Sequence, residues 1–535
     1  MRVSTCLRAV VLCLWPALSA QAGDVASGPE NIPVTFNRQV APIVFGHCVS
    51  CHRPGEVAPF PLLSYAEVKK HAHQIVDVTA IRLMPPWKAE QGADVFHDAR
   101  ALAEAERDVL RKWVEQGMPE GDPADLPALP KFTEGWQLGQ PDVVLEPPED
   151  FNLPAEGPDV YRCFVFPTHF DQDRYIAAME VRPGNRKIVH HAMGYVDVTG
   201  TARKLDEADP GPGYTAFGGV GFAPLCTLDG WGPGIIPRRL PDGVGMFVPK
   251  GADIVVQLHY HPTGKPESDR TRIGLYFCDK PVEKQLHMAV ALNFDLRIPP
   301  NQSRHEERAS LTIPADITLL RIAPHMHLLG HDMSVTATLP DGSRRTLVTV
   351  PEWDFRWQGI FSFKEPVKLP RGSKVDVLAH FDNTSDNPAN PSRPPREVTW
   401  GEGTNDEMCV AALFYTVDAE HLTEGITGKP ISEVPGGGGG RVPAARTARG
   451  PSILVGAGKM SPELQARIAM KMFDKNGDGK LDADERAAAM KFIEQFGGGH
   501  LTPEERAGAE RFLDKIGGKL EDAGTGKPGP TTRAK

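Results

Sequence analysis

Long hydrophobic runs are scarce in this chain of 535 residues. The apolar stretch near the start, Ala9 to Leu18, is interrupted by Pro16 and falls well short of the roughly 20 residues a membrane span needs. With Arg2 and Arg8 ahead of it and Ala20-Gln21-Ala22 behind, residues 1–22 read as a secretory signal peptide. The mature chain is then expected to be periplasmic or secreted, without a membrane anchor. Charge of one sign is also in short supply. A net charge of −10 with no dense basic stripe argues against nucleic acid and anionic membrane as partners. Cysteine is sparse as well, at 8 residues. Cys6 and Cys13 lie in the leader, so six cysteines remain to be explained.

Two of these six carry a definite chemistry. Cys48-Val49-Ser50-Cys51-His52 spells CxxCH, the attachment sequence of a c-type haem. On a helix Cys48, Cys51 and His52 fall at i, i+3 and i+4 and share one face. The thiols then bond the haem vinyls and the imidazole becomes the proximal iron ligand. Met84, in the Pro-rich stretch Arg82-Leu83-Met84-Pro85-Pro86-Trp87, is the expected sixth ligand, with His71, His73, His97 and Met118 as alternatives. Cys163, Cys226, Cys278 and Cys409 are left, enough for two disulfides in an oxidising compartment, with three possible connectivities.

The chain is too long for one core. Residues 33–130 read as a small all-α cytochrome c domain with helices over Asn37–Phe45, Ser64–Ile81 and Ala101–Gln116. From 140 to 430 the texture changes to short Val/Ile/Phe-rich runs, such as Asp253–Leu258 and Lys374–Ala379, between turns such as Pro183-Gly184 and Asp341-Gly342. That pattern predicts two tandem antiparallel β-sandwiches, jelly-roll-like, over 140–295 and 296–430. Residues 435–459, with five consecutive glycines at Gly436–Gly440, read as a flexible linker. Residues 460–520 read as a small α-helical EF-hand domain. Its loop places Asp474, Asn476, Asp478, Lys480 (through its carbonyl), Asp482 and Glu485 at the liganding positions, with Gly479 at the turn. This is the spacing of a calcium site.

Soft-metal ligands cluster within the β region: His190-His191, His259-Tyr260-His261, His325-Met326-His327 and the Met408 of Asp406-Glu407-Met408-Cys409. Residues i and i+2 of a strand share a face, so His325 and His327 can grip one ion. Imidazole suits copper, zinc and iron, and an added thioether favours copper, especially Cu(I).

At these residues the chain resembles the copper type II, ascorbate-dependent monooxygenases, the family of peptidylglycine hydroxylase and dopamine β-hydroxylase. The resemblance spans about residues 155–420. It rests on Val189-His190-His191-Ala-Met, on Arg239-Leu-Pro-Asp-Gly-Val-Gly-Met-Phe-Val leading to Val256-Gln257-Leu258-His259-Tyr260, on His325-Met326-His327-Leu-Leu-Gly330 and on Asp406-Glu407-Met408-Cys409. It implies two β-sandwiches, each holding one copper, across a solvent-filled cleft. His190, His191 and His259 would form the electron-transfer site. His325, His327 and Met408 would form the catalytic site that binds oxygen, and His261 would be a spare. The resemblance also suggests a Cys163–Cys278 disulfide, and arithmetic leaves Cys226 with Cys409.

The implied function is an exported haem–copper monooxygenase. It would hydroxylate a small organic or peptide-like substrate with O2, its electrons arriving from an external donor through the haem. A non-catalytic haem–copper electron-transfer or copper-binding protein is the alternative. The family's substrate-gripping arginine and tyrosine are replaced here by Ala323 and Ala412, which argues against a peptidylglycine substrate. Arg321, Tyr260 and Phe381-Asp382-Asn383 are the residues considered for a different pocket.

Overall fold

Strand outweighs helix in the computed structural model, with twenty-three strands and five α-helices among the described residues. These are residues 33–133, 135–157, 159–216, 219–401, 403–427, 455–456, 482 and 485–486. The strands form four principal sheets that pack in two pairs.

In the first pair, one sheet orders Val143–Leu145, Arg272–Phe277, Arg174–Arg182, Val244–Val248 and Lys284–Gln285. The other orders Tyr214–Thr215, Val160–Pro167, Asp253–Tyr260, Val189–Asp197 and Thr227–Trp231. Ile176, Met246 and Leu275 from one sheet share a core with Phe164, Ala192, Ile254 and Leu258 from the other. In the second pair, Phe361–Leu369, Ile317–His325, Val410–Val417, His287–Leu292 and Val455–Gly456 lie in one sheet, and His305–Thr312, Lys374–Phe381, Gly330–Thr338 and Arg344–Val350 in the other. Their inward residues, among them Ile322, Met326, Val335, Val377 and Leu413, form the larger core. Alternation fixes which face each residue takes.

The expected fold class is corrected by this architecture. No all-α cytochrome c domain forms over 33–130. The α-helices there are short, at Ala41–His47, Tyr65–Lys70, Ala72–Ala80 and Glu104–Glu115, separated by turns and loops. Pro54, Pro59, Pro61, Pro85 and Pro86 withdraw amide donors and stop helices from extending through these segments. The expected helix Ser64–Ile81 starts as anticipated, with the Ser64 side chain capping Glu67 N and Glu67 Oε2 accepting from Leu63 N at 2.8 Å. It then breaks at His71 (φ −109°, ψ 9°). The helix expected over Ala101–Gln116 begins only at Glu104, because Glu106 Oε2 turns back onto Ala103 N at 2.7 Å.

The region is also not an independent unit. Its own core gathers Phe36, Val44, Val68, Leu110 and Trp113, yet Ala89 and Phe96 belong to the core of the second sheet pair. Phe96 bridges Phe363 in β fashion, and Glu90 N donates to Thr349 O at 2.8 Å.

The β region departs from expectation in three respects. It is not wholly antiparallel: Lys284–Gln285 pairs in parallel with Val244–Gly245, and Val455–Gly456 pairs in parallel with Val290–Ala291. The latter pairing puts part of the supposed 435–459 linker on a sheet edge. The join between the two sheet pairs also falls earlier than residue 296, because His287–Leu292 pairs with Val410–Val417.

The suggested disulfides are absent, all six described cysteines being free thiols. Cys163 faces outward from its sheet among Ala202, Tyr214 and Val255, while its neighbour Phe164 faces the inter-sheet core. Cys278 lies in the other layer, its Sγ 3.6 Å from Val244 O. Cys226 and Cys409 are buried in two different cores.

The expected signal peptide lies outside the described residues, as does most of the expected EF-hand domain, including Asp474, Asn476, Asp478 and Lys480. Of the residues expected to ligate in that loop, Asp482 and Glu485 are described. Each side chain accepts from the other's backbone amide at 2.9 Å, the reciprocal bonding that opens a helix.

Candidate metal centres

His190, His191 and His259 converge, with one ligand nitrogen from each lying within 4.8 Å of the others. Neighbouring residues of a regular strand point to opposite faces, so His190 and His191 should diverge. A β-bulge prevents this. Val189 pairs with Tyr260 and His191 with His259, leaving His190 as the extra residue, and a bulge re-aims a side chain in this way.

The ring chemistry follows from the hydrogen bonds. His259 Nε2 lies 2.8 Å from Asp159 Oδ2. A carboxylate only accepts, so Nε2 carries the proton and Nδ1 keeps its lone pair. That Nδ1 faces His191 Nδ1 at 3.4 Å. Two nitrogens bound tetrahedrally to one ion at roughly 2.0–2.1 Å stand about 3.3–3.4 Å apart, so the pair already has the spacing of a coordination edge. Tyr161 stacks on the other side of His259 at 4.2 Å.

Asp159 gave no signal in the sequence. It accepts from His259, from His261 Nδ1 at 2.7 Å and from Thr404 Oγ1 at 3.0 Å. Burial pushes its carboxyl up, but the hydrogen bonds from His259 and His261 outweigh that and hold it below the usual carboxylate range. His261 is therefore a partner of Asp159, with its ring largely exposed. Burial, reinforced by the neighbouring imidazoles, lowers His190 to about 4 and His191 well below the ordinary histidine value. Both of these rings therefore favour the neutral form that ligates metal.

The second group forms where strand Ile317–His325 ends. Met326 faces the core while His325 and His327 point away from it, with ring centroids 5.0 Å apart. Gln358 Nε2 donates to Phe355 O at 3.0 Å, which turns Oε1 toward His325 Nδ1 at 2.6 Å. His327 Nδ1 lies 3.0 Å from the Asp406 carbonyl. In both rings Nδ1 carries the proton, so Nε2 is the nitrogen that would meet a metal. The first group thus offers Nδ1 at His259 and the second offers Nε2. Burial lowers His325 to about 3, His327 adding to the effect.

The segment carrying Met408 is tied to this strand end. Glu407, fully buried, accepts from His327 N at 2.8 Å, Leu329 N at 2.6 Å and Met408 N at 3.1 Å. Burial outweighs these donors and raises its carboxyl to about 8. Trp353 Nε1 donates to His327 O at 3.0 Å. The close approach depends on Gly330, where an added Cβ would lie 2.6 Å from Trp353.

The residues considered for a substrate pocket are otherwise engaged. Arg321 Nη1 donates to Asp229 Oδ2 at 2.7 Å, a buried pair joining the two sheet pairs. Tyr260 is buried with its hydroxyl on Asp269 at 2.8 Å. Asn383 holds Ile298, Pro299 and Arg396 carbonyls.

At the CxxCH segment the helix Ala41–His47 has ended, yet Cys51 N and His52 N both donate to Cys48 O, at 3.1 and 2.9 Å, and keep one further helical turn. His52 Nδ1 is 3.0 Å from Phe60 O, leaving Nε2 free, and burial lowers its pKa. Cys48 and Cys51 are free thiols, Cys48 being raised to about 12 by burial and by Cys51. These residues fit covalent haem, His52 presenting Nε2 and the cysteines their thiols. Met84 follows helix Ala72–Ala80, its amide on Val78 O at 3.1 Å. Among the alternatives, His71 stacks on Phe60 at 3.8 Å, and the His97 amide donates to Ser362 O at 2.9 Å.

No protein-family model and no curated protein matches this chain. Solved structures match weakly. A structure of infectious bursal virus-derived T=1 particles is 9% identical, covering 53% of this chain and 71% of its own at a TM-score of 0.17. A two-domain protein of unknown function from Bacteroides fragilis is 8% identical, covering 48% and 94% at 0.14. A tandem CBM22 domain of Paenibacillus barcinonensis Xyn10C is 8% identical, covering 50% and 82% at 0.12. Similarity at this level identifies neither class nor activity, so the function is argued from the site.

Proposed function

We propose that this chain is an exported haem–copper monooxygenase that hydroxylates a small organic or peptide-like substrate with O2. In this reading His190, His191 and His259 hold one copper, and His325, His327 and Met408 hold the other. Cys48, Cys51 and His52 carry a c-type haem with Met84 as its second axial ligand, and the Asp474–Glu485 loop holds calcium. The observation that carries it is the convergence of the histidine trio and the placing of His325 beside His327, with one ring nitrogen each of His259, His325 and His327 held by Asp159, Gln358 and the Asp406 carbonyl. Copper held this way would supply oxygen activation. The chain's own residues would fix the ring tautomers, Asp159 at His259, Gln358 at His325 and the Asp406 carbonyl at His327. Electrons come from an external donor through the haem.

The test is oxygen uptake by copper-loaded, haem-containing protein supplied with reductant and candidate substrates. Substrate-dependent oxygen loss matched by hydroxylated product is expected, with metal analysis giving two coppers, one haem iron and one calcium per chain. Metal analysis showing no copper at either histidine group would refute the reading.

A further inference from the structure

Phe355 touches both histidine groups. Its ring stacks on His190 at 5.3 Å with an interplanar angle of 27°, and stands edge-on to His327 at 5.7 Å and 77°. The surrounding segment, residues 353–358, fixes it there. Gln358 joins the Phe355 carbonyl to His325, and Trp353 is anchored on the His327 carbonyl. Asp354 is paired with Arg356 at 2.8 Å and Lys88 at 3.8 Å. One short segment therefore orients His325, clamps His327 and lays an aromatic ring against His190. The resemblance leads one to expect open solvent between the two groups, whereas this ring bridges them.

We infer that Phe355 is a positioning residue for electron exchange between the two groups, an inference that rests on the copper reading above. The ring fixes their spacing, excludes water from the line joining His190 to His327, and provides the contact across which one electron passes. The step balances as a self-contained exchange: one cuprous ion becomes cupric as one cupric ion becomes cuprous, with no proton or ligand transferred. The haem or an added one-electron reductant supplies the electron that starts it. Electronic coupling decays faster through water than through packed rings and bonds, so removing the ring should slow the exchange while leaving the ligands in place.

The experiment compares copper-loaded full chain with the Phe355→Tyr, Phe355→Leu and Phe355→Ala variants, counting copper and then mixing with less than one equivalent of dithionite. Cupric ion at the two groups is followed by freeze-quench paramagnetic resonance. The parent and Phe355→Tyr should bind two coppers, and both cupric signals should fall together in a single phase to the extent the added electrons allow. Phe355→Leu and Phe355→Ala should also bind two coppers but lose the signals in two separated phases. A single phase in the Leu and Ala variants overturns the inference. Loss of copper in both variants also overturns it, since the ring's role is then structural. Fewer than two coppers in the parent defeats the copper reading itself, an outcome that the metal count separates from the others.

Discussion

Asp159→Asn should loosen copper at the His190–His191–His259 group by about 10–100-fold, the usual effect of removing a partner that orients a ligating histidine. The carboxylate takes three hydrogen bonds, from His259 at 2.8 Å, His261 at 2.7 Å and Thr404 at 3.0 Å. Asparagine keeps one acceptor oxygen and puts an NH2 where the other stood, and it removes the charge. Bonds to an ionised acceptor are roughly twice as strong as neutral ones, so each weakened bond costs about 1 kcal/mol. Together these losses amount to about 1.4–2.7 kcal/mol, or 10–100-fold in affinity. If the NH2 faces His259, the ring also changes tautomer and protonates the Nδ1 that faces His191. Competitive chelator titration, with the two cupric populations resolved by paramagnetic resonance, reads each group separately. The loss should fall on the trio and far less on His325–His327. An unchanged trio affinity, or equal losses at both groups, would refute the assignment of Asp159 as the residue that sets His259.

Gln358→Leu leaves the His325 Nδ1–H buried without its acceptor, a cost of about 1–3 kcal/mol. Copper at the second group should weaken about tenfold or more in the same titration, with the trio unaffected. Arg321→Met strands Asp229 in a site where the two side chains are only 7% and 10% exposed, so urea denaturation should show a loss of about 3–5 kcal/mol. Changing Asp229 to Leu as well should recover most of it. Stability of the metal-free protein should depend on pH through His190 and His325, whose native values of about 4 and 3 lie below the ordinary 6.5. The unfolded chain takes up these protons first, so their contribution is complete above pH 6.5 and declines as pH falls toward 4 and 3. The urea midpoint should therefore be lower at pH 5 than at pH 7.

The CxxCH segment was legible in the sequence because its residues are adjacent and in fixed order. The histidine clusters were legible as residue types, since strand alternation predicts that His325 and His327 share a side. Alternation also predicts that His190 and His191 part company, and only the bulge opposite His259 brings them together. A bulge depends on register with a partner strand some 70 residues away in sequence, which the local pattern does not encode. The expected all-α first domain failed for a related reason. Apolar spacing marked plausible helices, but one breaks at His71, another starts only at Glu104, and Phe96 found its core in a different part of the chain.

By itself the sequence determined which atoms are available: thiols and imidazole for a haem, imidazoles and a thioether for soft metals, oxygens in calcium-loop order. The tertiary structure decided which of them meet and in what protonation state. Asp159, Gln358, Glu407 and Phe355 lie far in the chain from most of the residues they govern, and no spacing rule points to them. Only folding brings a carboxylate to His259, an amide oxygen to His325 and a ring between the two groups. Hydrogen-bond direction and burial act over a few ångströms of space, whatever the distance along the backbone.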